Sequence, residues 1–357
     1  MCIIYFWGVE IQVYDFSTEP YGLPAAADEV TRIVERLASG EGFTFHTSGS
    51  TGSPRPVHLS NKQIRLSAGL TLSHLHPVPP SALLCLPLDR VGGFMVVVRA
   101  VLGRMRLYRV SPSANPLWQW PADIPVPSLT SLTPMQLSTI LQNPLSSALF
   151  RQFSTVFIGG APLSETIREK LREDFPTPHV FETYAMTETA SQVALQSVHD
   201  SCFTLLPGFQ ISTDENGGLV ISHPELGITD LHTHDRVKII APHQFVWKGR
   251  LDFVLNSGGI KIHPEDVERA LRQHLSEDIH FILSAASDPV LGDKLVLCVE
   301  GDFREDIIQF SRTALPALTS FHRPKGICFI PHFPLTPGGK IDRIALRNMS
   351  KHIFDWS

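Results

Sequence analysis

The stretch Phe45-His46-Thr47-Ser48-Gly49-Ser50-Thr51-Gly52-Ser53-Pro54-Arg55-Pro56 gathers hydroxyl side chains, glycines and a cation between two short runs, Phe43-Thr44-Phe45 and Val57-His58-Leu59. A loop of this kind between strands can wrap polyphosphate oxygens: hydroxyls donate, Gly49 and Gly52 let the backbone come close, and Arg55 adds charge. A nucleoside triphosphate is the natural guest. A solvated turn has the same composition, and the string is not the common phosphate loop, which needs Gly-Lys followed by Ser or Thr. Further strings bear on the choice. Ile158-Gly159-Gly160-Ala161-Pro162-Leu163 ends a strand in small residues onto which a flat ring can lie. Glu182-Thr183-Tyr184-Ala185-Met186-Thr187-Glu188-Thr189-Ala190-Ser191-Gln192 sets a carboxylate among hydroxyls, and Asp230-Leu231-His232-Thr233-His234-Asp235 offers acceptor-only carboxylates. Lys248-Gly249-Arg250-Leu251-Asp252 leads to a Ser257-Gly258-Gly259 turn, and Pro334-Leu335-Thr336-Pro337-Gly338-Gly339-Lys340 places an ammonium on a glycine turn.

Each string alone has an ordinary structural explanation. In this order, over most of residues 43–343, they resemble the adenylate-forming enzymes, the acyl-CoA synthetases and their relatives. That resemblance implies that Thr47, Ser48, Gly49, Ser50, Thr51, Gly52 and Arg55 hold the phosphates of ATP, while Gly159, Gly160 and Ala161 border the adenine and the acyl pocket. Tyr184 would lie against the adenine, Thr187 would bond a phosphate, and Glu188 would hold Mg²⁺, a hard cation that takes oxygen ligands. Asp235 would accept from both ribose hydroxyls and Arg250 would bond the ribose. Asp252 would be a hinge, and Ser257, Gly258 and Gly259 would line the pantetheine tunnel of CoA. Lys340 resembles the catalytic lysine, neutralising charge between a substrate carboxylate and the α-phosphate.

The implied reaction has two halves. A carboxylate attacks ATP to give an acyl-adenylate and pyrophosphate, and a thiol, that of CoA, then displaces AMP. Thr189-Ala190-Ser191-Gln192 looks like the o-succinylbenzoate-CoA ligases of menaquinone biosynthesis in particular. Another aryl- or acyl-CoA ligase, a carrier-protein-loading adenylation enzyme, and a non-catalytic nucleotide-binding relative are the alternatives.

The chain departs from the family pattern in places. About forty residues precede the first loop, so the large N-terminal domain is expected to be shortened. Arg55 and Pro56 stand where lysine and glycine are usual, which keeps charge but changes donor geometry. Arg90, in Pro87-Leu88-Asp89-Arg90-Val91-Gly92-Gly93, replaces a residue that gates the acyl pocket and is a candidate for the acid's distal carboxylate. His234 replaces a glycine. His223, His232 and His234 lack the cysteine or carboxylate shell of a metal site.

The elements that must position these groups alternate. Val30, Ile33, Val34 and Leu37 predict an amphipathic helix ending at Gly40, and Ser60 with Gln63 predict a capping box. Strand-like runs at 82–86, 154–158 and 180–184, with a helix over 163–172, indicate α/β architecture. The proline-rich stretch 110–134, with Trp118 and Trp120, reads as an ordered irregular connection. A helix opening at Pro264 and strands over 295–299 and 327–330 make a small α+β unit. The expected organisation is therefore a shortened AMP-binding domain of layered sheets and helices, 1–251, and a mobile α+β lid, 252–357. The net charge of −5 is spread evenly, which disfavours nucleic acid as a partner. Cys2, Cys85, Cys202, Cys298 and Cys328 form no CxxC pair and sit in apolar settings, as reduced core thiols do. No run reaches membrane length. A cytoplasmic monomer or homodimer acting on a small aromatic or acyl carboxylic acid is expected.

Overall fold

The computed structural model describes residues 2–6, 9–17, 28–47, 55–175, 179–276, 279–288, 291–315, 318–335, 341–349 and 353–355. The large sheet is built outward from a parallel centre. Arg106–Arg109, Ser81–Leu84, Leu129–Leu132, Thr155–Ile158 and His179–Met186 run parallel in that spatial order. Strand alternation explains why both faces are covered. Ala82 and Leu84 join Phe94 and Ile64 in one apolar layer, whereas Leu83 and Cys85 face Leu137 and Ile140 in the other.

Local signals set the flanking helices. Glu29–Ser39 is capped by Asp28, which accepts from Thr31 N, and stops at Gly40 with φ +83°, a left-handed cap suited to glycine. Asn61–His74 carries the capping box of Ser60 and Gln63, and Glu165–Asp174 is capped by Ser164. This helix starts later than the 163–172 periodicity predicts, because Pro162 and Leu163 belong to the glycine turn. Within 110–134 the chain is irregular except for Leu129–Leu132, and Trp120 is buried with its indole N–H on Ile124 O at 2.9 Å.

The alternation read from the sequence misses an antiparallel half. Ser191–Ser197 turns back along His179–Met186, and Phe203–Leu205, Gln244–Arg250, Ile228–Ala241, Gly218–His223 and Gln210–Thr213 continue the same sheet antiparallel. On the far edge, Cys2–Phe6 pairs with Val9–Asp15, which pairs with Arg106–Arg109. A second sheet follows Arg250. Ile260–Ile262, Leu255–Ser257, Gly292–Glu300 and Gly326–Ile330 lie side by side, Phe281–Asp288 pairs with Gly292–Glu300, and helix Pro264–Arg272 buries Val267 and Leu271 in its own apolar cluster. Among the described residues no helix is long and apolar enough to cross a membrane.

Candidate active site

The first loop grows from a hairpin, Phe43–Thr47 with Arg55–Leu59, in which Thr47 faces Arg55. Phe43, tilted, and Phe45, edge-on, anchor it to Phe94, with ring centroids 4.6 and 5.0 Å apart. The return strand lies against the turn Thr187–Thr189, so the base of the loop and the Thr187-Glu188 pair share one place. Ser48, Gly49, Ser50, Thr51 and Gly52 lie outside the described residues, as does Lys340. Among the described residues on either side, Leu335 bridges to Ile341, and Asp342 N donates to Pro334 O at 2.8 Å.

The turn itself is held in an uncommon shape. Ala190 (φ +55°) and Ser191 (φ +125°) take positive φ without being glycine, a conformation that surrounding contacts must enforce. Ser67 Oγ donates to Ala190 O at 3.0 Å, and Thr71 Oγ1 donates to Gln192 Oε1 at 2.7 Å. Glu188 is thereby left exposed, with no ion-pair partner among the described residues. Among the described residues no group of three or more His, Cys, Asp and Glu side chains is placed to hold a metal. Mg²⁺ is usually held by one or two carboxylates together with phosphate oxygens and water, a pattern that the single exposed carboxylate of Glu188 fits.

Gly159 and Gly160 follow Thr155–Ile158 directly alongside the strand of Tyr184. A Cβ at Gly159 would stand 2.6 Å from Thr183 Oγ1, so only glycine lets the turn approach that strand. Tyr184 points to Asp235. Its hydroxyl donates to Oδ2 at 2.8 Å, Trp247 Nε1 donates to Oδ1 at 3.0 Å, and Arg250 Nη1 stands 3.6 Å away. Arg250 is in turn clamped by Asp252 through two hydrogen bonds of 2.9 and 2.7 Å. Burial and then the charge of Asp235 push the Tyr184 phenol well above its ordinary value, so it remains a donor. Three of the residues singled out in the sequence, 184, 235 and 250, therefore meet in one cluster.

Ser257, Gly258 and Gly259 do not join that cluster; they form a hairpin turn of the small sheet. Ser257 faces Ile260, and Gly258 (φ +59°) and Gly259 (φ +82°) both take the left-handed region a two-residue turn demands. The two sheets touch at a seam. Arg236, next to Asp235, pairs with Asp266 on the Pro264–Arg272 helix, and the Glu265 side chain packs on Gly249, where a Cβ would come within 2.8 Å of its Cδ. Arg236 Nε, His263 Nδ1 and Glu265 Oε2 are buried without hydrogen-bond partners among the described residues.

Residues 37–239 match the family described as AMP-binding enzyme. The chain belongs to the AMP-binding enzyme family. A 2-succinylbenzoate–CoA ligase of Listeria monocytogenes is 24% identical over 85% of this chain and 69% of its own length. A D-alanine–D-alanyl carrier protein ligase of Staphylococcus aureus is also 24% identical, over 84% of this chain and 70% of its own. A crystal structure of an acyl-CoA synthetase (AMP-forming)/AMP-acid ligase II-like protein from Dyadobacter fermentans superposes with a TM-score of 0.62. It is 30% identical and covers 96% of this chain and 100% of its own.

For an AMP-binding enzyme the geometry places Arg90, singled out in the sequence, and adds Arg99 and Trp247, which the sequence reading passed over. Arg90 lines an open cavity of about 500 Å³ with Arg36, Phe43, His46 and Phe94, and stands 3.7 Å from Asp89. Arg99 is a buried arginine. It lies on the helix Val91–Leu102, 3% exposed, with Nη2 donating to Ser191 Oγ at 3.0 Å and Cζ 6.0 Å from the Phe157 ring. Its Nε has no hydrogen-bond partner among the described residues, and burial pulls its guanidinium down to about 10. One charge within a helix that is apolar all round was the signal that it is buried. Trp247 carried no such signal. His223 is buried edge-on to Phe209 and accepts from Leu226 N, which is a structural task.

Proposed function

We propose that this AMP-binding enzyme is an acid–thiol ligase that converts o-succinylbenzoate and CoA to the thioester through an acyl-adenylate. Arg99 carries the choice of acid. A buried guanidinium without a carboxylate among the described residues is costly, and an acid bearing a second carboxylate would complete the pair. The same charge repels the ammonium of an amino acid, which favours the 2-succinylbenzoate relative over the D-alanine relative as a guide. Arg99 also bonds Ser191, so it stands behind the turn that holds Thr187 and Glu188.

In this reading the hairpin loop from Thr47 to Arg55, with Thr187, binds the triphosphate, Asp235 and Arg250 take the ribose, and Gly159 to Ala161 receive the adenine. Magnesium, held through Glu188, supplies charge neutralisation at the phosphates. Lys340 stabilises the charge that builds up as the carboxylate displaces pyrophosphate. The unit after Leu251 acts as a lid hinged at Asp252, bringing Lys340 for the first half-reaction and the Ser257–Gly259 turn for the second.

A pyrophosphate-release assay over a panel of acids, with and without CoA, tests the substrate. O-succinylbenzoate is expected to be turned over, and benzoate and D-alanine to be poor. Turnover of another acid with none of o-succinylbenzoate rejects the choice. For Lys340→Ala, adenylation should fall by about a hundredfold or more, as for removal of one oxyanion donor, while preformed acyl-adenylate is still converted to thioester. Equal losses in both halves contradict the role.

A further inference from the structure

The Asp235 carboxylate is gripped on both oxygens by protein donors. Tyr184 Oη takes one lone pair of Oδ2, Trp247 Nε1 takes one of Oδ1, and the Asp235 N–H donates to Thr233 Oγ1 at 3.1 Å. A carboxylate offers about four lone-pair sites, so about one remains on each oxygen, the arrangement that suits two neighbouring hydroxyls. A single donor would leave the group free to turn about its Cβ–Cγ bond. Two donors, from different strands, fix its plane.

Trp247 reaches this position through an irregularity in the sheet. Asp235 faces Arg250 and Arg236 faces Gly249, but the register then shifts so that Val237 faces Trp247. A bulge of this kind re-aims a side chain, and here the indole N–H is delivered to Oδ1. Indole suits the task because it donates and cannot accept, so it never competes with Asp235 for a hydroxyl proton. Without it, Oδ1 is left to Arg250 Nη1 at 3.6 Å, whose charge would draw the carboxylate round.

We infer that Trp247 is a positioning residue: its N–H locks the rotation of Asp235 so that the remaining lone pairs face the 2′- and 3′-hydroxyls of the nucleotide. The inference rests on the reading that Asp235 receives the ribose. Nothing in the ring itself need touch the nucleotide. The role is distinct from packing, because Trp247→Phe removes the donor and keeps an aromatic ring in place.

The test compares ATP with 2′-deoxyATP and 3′-deoxyATP in adenylation by Trp247→Phe. The KM for ATP is expected to rise about tenfold, a loss at the lower end for one hydrogen bond to a charged group, with kcat within about twofold. Discrimination against each deoxynucleotide should shrink by a similar factor. Tyr184→Phe, which frees Oδ2 instead, should shift discrimination the same way and serves if the tryptophan variant does not fold. Unchanged discrimination, or a fall in kcat with KM constant, overturns the inference. Asp235→Asn separates the two ideas. If it leaves ATP affinity intact, the ribose reading itself fails; if it abolishes affinity while Trp247→Phe alters neither KM nor discrimination, only the role of Trp247 fails.

Discussion

Among the described residues, two arginines are buried in the flanking helices of the large sheet, and their surroundings are opposite. Arg168 pairs with Glu182, whose other oxygen accepts from Leu163 N at 3.3 Å, and also stands 3.4 Å from Glu165. It is a strut: the charge is compensated, and the compensation ties the end of the Gly159–Leu163 turn to the strand of Tyr184. Arg99 has a serine hydroxyl and no carboxylate among the described residues. A compensated buried pair maintains shape, whereas an uncompensated charge lowers stability and is retained where a ligand can compensate it. In the proposed function, that contrast gives one arginine to the scaffold and the other to the substrate.

The sharpest way to break that contrast is to remove both charges in turn. Arg168→Met strands Glu182 in the interior and is expected to cost about 3–5 kcal/mol in denaturant unfolding. Arg99→Met should leave the unfolding midpoint unchanged or raise it, while kcat/KM for o-succinylbenzoate drops by about a hundredfold, the scale of one buried charge-assisted hydrogen bond. An acid with a single carboxylate should lose far less. Equal destabilisation by the two substitutions would mean that Arg99 is a strut as well.

The seam between the sheets extends the comparison to a third kind of buried charge. Burial raises the Glu265 carboxyl above its ordinary 4.5, against the opposing pull of Arg343, and burial and then Arg236 lower His263 below 6.5. Asp266 and Glu268 face the same seam. The docked seam therefore favours a protonated Glu265 and a neutral His263. The Glu265 contribution is complete below about 4.5 and fades as pH rises through its raised value; the His263 contribution is complete above about 6.5 and fades as pH falls through its lowered value. Hydrogen exchange at the amides of residues 249–254 should accordingly quicken on the alkaline side. Glu265→Gln should flatten that limb, with an effect of about 1–2 kcal/mol, the size of an unsatisfied buried polar group. An unchanged alkaline limb would remove Glu265 from the seam's titration. The smallest effect belongs to Glu165→Gln: its carboxylate is more than half exposed, and the Arg168 contact should be worth about 0–1 kcal/mol by thermal unfolding.

Much of the architecture was legible along the chain because its causes are local. The caps at Asp28 and Ser60, the stop at Gly40 and the stripe Val267-Leu271 depend on groups within a few residues of one another. The antiparallel half was not legible. Ser191–Ser197 buries six of its seven residues, so the alternation that marks a half-exposed strand is absent. For the site, Tyr184, Asp235 and Arg250 were singled out by their types and order and meet in one cluster, while Arg99, nine positions after Arg90 and buried, was passed over.

Residue chemistry and short-range backbone preference were determined by the sequence alone: which carboxylates, hydroxyls and cations exist, in what order, and on which kinds of element. Tertiary structure alone decided which charges are compensated. Glu182 lies 14 residues from the arginine it neutralises, Trp247 lies 12 from the carboxylate it steadies, and Arg99 is 92 from the serine it bonds. Desolvation and charge pairing depend on distance through space, and folding brings such groups together irrespective of their separation along the chain.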